Sequence, residues 1–187
     1  MSRPEEKYRK ILLSGNISGE TIKEVIEKIM EINRDDDLKN RDYIDWKRKP
    51  IKLYINSFGG SVYDGLALVD VIKQSVTPVY TVCIGSAMSM GLWIYLAGEK
   101  RYVGENSTLM FHDISNWVYD KSETIKQELK EMLRLQEMLL TEIQSRSLVK
   151  RETLDDYINR KAEWYIPSDK AIKLKLSDGY YKEIANE

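Results

Sequence analysis

Apolar and polar positions along the chain follow two periods, one of strands and one of helices. From Arg9 to Leu13 an apolar run with Ile11, Leu12 and Leu13 ends in Ser-Gly-Asn, which predicts a strand and a turn. Ser18-Gly-Glu-Thr then supplies capping residues, and Ile22, Val25, Ile26, Ile29, Met30 and Ile32 recur at helical spacing as one amphipathic face. The mixed charge run from Arg34 to Pro50 reads as a solvated surface loop, and its basic end, Lys47-Arg-Lys, is too short to imply binding of RNA or DNA.

A strand, a glycine turn and a helix then occur twice in succession. Ile51 to Asn56 is apolar and stops at Ser57-Phe-Gly-Gly-Ser61, after which Leu66, Val69, Val71 and Ile72 fall on a helical pattern reaching Gln74. Pro78 to Ile84 gives the next strand, Gly85-Ser-Ala-Met-Ser-Met-Gly91 the next turn, and Leu92 to Ala97 the next helix. Alternation of this kind predicts an α/β fold around a largely parallel, buried sheet. Arg101-Tyr-Val and Thr108 to His112 read as two further short strands. Ser122 to Ser145 reads as a long helix with Ile125, Leu129, Met132, Leu133, Leu139 and Ile143 inward. A helical turn at Leu154 to Ile158, a helix at Ser168 to Leu174 and a strand around Gly179-Tyr-Tyr complete the pattern.

A length of 187 residues fits one core, so a single domain over 1–187 is expected. Lys and Arg number 29 and Asp and Glu 30, a balance that offers no global attraction to nucleic acid or an anionic membrane. No charge falls between Lys73 and Glu99, long enough to cross a bilayer, but Pro78, Gly85, Ser86, Ser89 and Gly91 interrupt the stretch and favour a buried strand followed by a packed helix. With no apolar segment behind the basic N-terminal residues, the expected compartment is the cytoplasm. One cysteine, Cys83, excludes an intramolecular disulfide, and with one histidine any mechanism that needs imidazole must use His112.

Three features carry candidate chemistry. Ser89 sits where a buried strand gives way to a helix, near unpaired backbone N–H groups and the positive end of the helix dipole, where a developing oxyanion is stabilised. The string Ala87-Met-Ser-Met-Gly91 lacks the first glycine of the G-x-S-x-G elbow, and a small residue that merely permits close packing is the competing reading for Ser86 and Ser89. Gly59-Gly60 frees two backbone positions at a strand end, which is ordinary turn chemistry when met alone. His112 ends the apolar run Leu109-Met-Phe. Together a serine at a helix start, a lone histidine and a glycine turn are the parts that acyl transfer requires.

Ile55-Asn-Ser-Phe-Gly-Gly-Ser-Val62, Cys83-Ile-Gly-Ser-Ala-Met-Ser-Met-Gly91 and Leu109-Met-Phe-His112 resemble the three signature blocks of the Clp protease proteolytic subunit family, in order and at matching intervals. The resemblance extends from Ile11 to Tyr180. It implies a crotonase-like spiral of β-β-α units and a serine endopeptidase acting on polypeptides, with no metal or organic cofactor. Its assembly would be a homo-oligomer of heptameric rings stacked in pairs. Ser89 matches the nucleophile, His112 the general base and Glu163 the acid, while Gly60 and Met90 match the residues whose N–H groups form the oxyanion hole. Ile114, Ser115 and Asn116 fall where the family pairs substrate backbone as an added strand, and the helix at 122–145 falls where the family joins its two rings.

The sequence departs from the family pattern at several points. Phe58 replaces the usual proline, Asp113-Ile114 the usual Gln-Pro, and Asn116-Trp-Val-Tyr-Asp the usual glycine-rich stretch. Glu163 stands where an aspartate is usual, with Asp113 as its competitor for orienting His112. The N-terminus lacks most of the axial loop through which the family meets an AAA+ ATPase, so docking to that partner is expected to be weak. Two rival readings follow: an assembly protein that keeps the fold without proteolysis, and an acyl-CoA enzyme of the wider crotonase-like group.

Overall fold

The charge-free segments of the chain form the centre of one sheet. In the computed structural model, which describes residues 8–114 and 122–183, β1 (Lys10–Ile17) leads into α1 (Gly19–Asp42), β2 (Ile51–Gly60) into α2 (Val62–Gln74), and β3 (Val79–Met88) into α3 (Met90–Ala97). Then come β4 (Lys100–Val103), β5 (Thr108–Phe111), α4 (Ser122–Arg146), α5 (Arg151–Asn159), β6 (Trp164–Pro167), α6 (Ser168–Lys173), β7 (Gly179–Tyr180) and a 3₁₀ turn at Tyr181–Glu183. The expected parallel arrangement is present: β1–β2, β2–β3, β3–β4, β3–β5 and β4–β7 all run parallel, and β5–β6 is antiparallel. The fold is therefore α/β.

Two strands run further than their apolar pattern predicts. β2 continues through Phe58 to Gly60, and β3 through Ala87 to Met88. The added length lets β3 pair twice, Tyr80 to Cys83 with β4 and Ser86 to Met88 with β5. Between the two ladders the chain bends at Gly85, whose φ of 80° suits glycine, and where a Cβ would lie 2.7 Å from the Asn56 side-chain oxygen. α3 is buried along its whole length, so the uncharged stretch belongs to the core. Among the described residues no helix is long and apolar enough to cross a membrane.

Two expectations need correction. The charge run after Arg34 is not all loop, because α1 continues to Asp42 and buries Asp36 completely. That carboxylate accepts from both Arg9 Nη atoms and from Thr77 Oγ1 (2.8 Å). Burial by itself would raise its pKa, but the bonds from Arg9 and Thr77, with the charges of Arg9 and Arg48, together hold it below the ordinary carboxylate value. In α4 the inward residues are Leu135, Leu139, Leu140 and Ile143, whereas Ile125, Leu129 and Leu133, expected inward, are exposed. The C-terminal half of that helix joins the core and the preceding turns present an apolar stripe at i, i+4 and i+8.

Candidate active site

Three parallel strands deliver their carboxyl ends to one place, the usual position of a site in an α/β sheet. β2 ends in Gly59-Gly60, β3 ends immediately before Ser89, and β5 ends immediately before His112. Ser89 caps α3 with φ 52° and ψ −122°, a conformation that costs a non-glycine residue of order 1–3 kcal/mol and persists only when its surroundings enforce it. The surroundings do so. The Ser89 N–H donates to the Met110 carbonyl (3.0 Å), its own carbonyl accepts from the N–H groups of Leu92 (3.0 Å) and Trp93 (3.4 Å), and a Cβ on Gly59 would stand 2.8 Å from the Ser89 Cβ.

The glycine pair divides its work. Gly59, with φ 109°, is the one that lets β2 approach the serine, while the space a Gly60 Cβ would need is filled by the Ile17 backbone, 2.3 Å from its oxygen. Buried Ser57 secures this corner by donating to the Gly15 carbonyl (2.6 Å) and accepting from the Gly59 N–H (3.1 Å). Ser86, the other serine of the turn, bonds the Asn56 side chain (3.2 Å) and lies with the structural groups of the bend. Met90 is buried against Gly65, and as the first residue of α3 it belongs to the turn whose N–H groups have no intrahelical partner.

The candidate acid, Glu163, arrives from the opposite direction. β6 pairs with β5 so that Met110 faces Tyr165 and Phe111 faces Trp164, and one further step of the same register sets Glu163 opposite His112. Alternate residues share a face, so Phe111 and Trp164 are buried in the core while Met110, His112, Glu163 and Tyr165 line a cavity of about 360 Å³ with Phe58, Met88 and Ser89. Asp113 is not among the residues that line this cavity.

Ser89, His112 and Glu163 thus share one cavity, but no hydrogen bond joins any two of them among the described residues. The Glu163 carboxylate accepts instead from the Tyr165 hydroxyl. That bond, followed by burial and the nearby negative charge, raises the Tyr165 pKa above its ordinary value. Nothing in the sequence reading above singles out Tyr165; the one local signal for it is its period-2 spacing from Glu163 along a short β-prone run, Trp164-Tyr-Ile.

Gly60 lines a second cavity, of about 470 Å³, with Val62, Tyr63, Ile114 and the α4 residues Glu128, Glu131 and Met132. The Ile114 N–H donates to Gln136 Oε1 of α4 (2.6 Å). Ser115 and Asn116, expected on the same substrate strand, lie outside the described residues, as do the stretch at 117–121 and the N-terminal residues 1–7.

Residues 5–178 match the family model for Clp protease. The chain is 30% identical over 174 residues to the ATP-dependent Clp protease proteolytic subunit 1 of Prochlorococcus marinus strain MIT 9312, covering 92% of this chain and 83% of that protein. It is 33% identical over 130 residues to the ATP-dependent Clp protease proteolytic subunit of Deinococcus radiodurans, covering 68% and 63% respectively. A match along nearly the whole length, on a sheet that gathers the three sequence blocks at one cavity, places this chain in the Clp protease family.

Proposed function

We propose that the protein is a serine endopeptidase that hydrolyses unfolded polypeptides or peptides within an oligomeric ring. The observation that carries this reading is the strained Ser89 at the start of α3, facing a cavity it shares with the chain's one histidine. In the reaction, His112 takes the Ser89 Oγ proton as that oxygen attacks the scissile carbonyl carbon, and the amides of Gly60 and Met90 hold the oxyanion. The imidazolium then gives its proton to the leaving amine, and water, deprotonated by the same imidazole, releases the acyl group from Ser89. On substrate binding Glu163 comes to accept from His112 Nδ1–H, a bond absent from the free chain, which fixes the tautomer and stabilises the imidazolium. Ile114, Ser115 and Asn116 are the residues that the family resemblance assigns to pairing with an extended peptide, a mode tolerant of side-chain sequence.

The exposed stripe Ile125, Leu129 and Leu133 supports assembly, because an apolar row on a projecting helix is stabilised when a second copy covers it. Family membership extends the proposal to stacked heptameric rings in the cytoplasm. The bond from Tyr165 to Glu163 favours a second reading, an assembly subunit whose acid is held by tyrosine and whose turnover is impaired. Hydrolysis of fluorogenic peptides by the assembled protein separates the two. The endopeptidase reading expects turnover that Ser89→Ala removes by at least about 10³-fold with no change in particle size, and the assembly reading expects none in either protein.

A further inference from the structure

We propose that Tyr165 is a positioning residue for the acid of the triad: its hydroxyl holds one oxygen of the Glu163 carboxylate so that the other is presented to His112. The inference rests on the reading of Glu163 as that acid.

Three observations support it. Tyr165, in β6, and Glu163, the residue that precedes that strand, are two apart in sequence and line the same cavity with His112 and Ser89. The Tyr165 hydroxyl donates to Glu163 Oε2, leaving Oε1 to accept from the imidazole. Glu163 is itself exposed and sits just before a four-residue strand, so neither burial nor a long ladder orders its side chain. A glutamate has one more rotatable bond than an aspartate and reaches about 1.5 Å further. Held by nothing else, it would lose more rotamer freedom each time it met the histidine. The tyrosine removes that freedom in advance. Its function depends on a protonated hydroxyl, and the neighbouring carboxylate favours that form by raising the Tyr165 pKa. The other titratable groups lining the cavity are His112 and Glu163 themselves.

A double-mutant cycle tests the proposal on the assembled protein. Tyr165→Phe keeps the ring and removes the hydroxyl. It is expected to lower kcat for a fluorogenic peptide by roughly three- to tenfold, the scale of one hydrogen bond to a charged group at a half-exposed position, with KM unchanged. In a Glu163→Gln background the same change should have no further effect, because the carboxylate it positions is gone. The rate at which a fluorophosphonate modifies Ser89 should follow the same cycle, giving a readout that needs no turnover.

An equal loss in both backgrounds, a change in KM alone, or faster hydrolysis by Tyr165→Phe would overturn the proposal, the last by showing that the tyrosine withholds the acid from His112. These outcomes are distinguishable from failure of the underlying reading. If Glu163→Gln leaves both hydrolysis and labelling at wild-type rates, Glu163 is not the acid and the positioning role falls with it. If Glu163→Gln is impaired while Tyr165→Phe is not, only the tyrosine's role is refuted.

Discussion

Ser89 and Glu163 face the same cavity from supports of different kinds. Ser89 is fixed by the backbone: β3 ends there, Met110 accepts its N–H, Leu92 and Trp93 bond its carbonyl, and Gly59 packs against its Cβ. Glu163 lies next to a short antiparallel strand and is secured by one hydroxyl from a half-exposed tyrosine. The position of the proposed nucleophile therefore follows from the fold, whereas that of the proposed acid follows from the identity of two side chains.

This contrast is open to attack from either side, and the largest effect is expected at the backbone. Gly59→Ala would force a side chain onto φ 109° and to within 2.8 Å of the Ser89 Cβ. It should destabilise the protein by about 2–3 kcal/mol and lower kcat/KM by more than about 100-fold, read by thermal unfolding and peptide hydrolysis. A fully active Gly59→Ala would mean that the serine is not held by that contact.

Next in size is Glu163→Gln, expected to reduce kcat about 100-fold or more because an amide cannot stabilise the imidazolium as a carboxylate does. Glu163→Asp keeps the charge and shortens the side chain, so a loss of about tenfold is expected, with steady-state kcat as the measurement. Asp113→Asn is expected to stay within about twofold, since Asp113 does not line the cavity. If Asp113→Asn proved the more damaging of the two, the acid would have to be reassigned to Asp113.

Much of this arrangement is legible in the chain. Pairing of strand, glycine turn and helix predicts the parallel sheet, and the carboxyl ends of such strands are where Ser89 and His112 fall. Where the sequence misled, the cause was a contact between distant segments. Arg34-Asp-Asp-Asp reads as solvated because local polarity is all that a window contains. Asp36 is buried only because Arg9, Thr77 and Arg48 converge on it from three other segments. Residues 125–143 are apolar on more than one side of a helix, so periodicity alone could not choose between the stripe covered by this chain, at Leu135, Leu139, Leu140 and Ile143, and the stripe left exposed, at Ile125, Leu129 and Leu133. Glu163 was placed by family register rather than by local pattern, and Tyr165 needed the β5–β6 ladder to bring it beside the site.

The central claim is that Ser89 is an activated nucleophile, and the direct measurement is covalent labelling of the assembled protein with a fluorophosphonate, followed by mass-spectrometric mapping of the modified residue. The account predicts one adduct per chain, on Ser89, formed quickly by the native protein and lost on denaturation or in His112→Ala. Labelling at another residue, or a native assembly in which Ser89 stays unmodified, would contradict it.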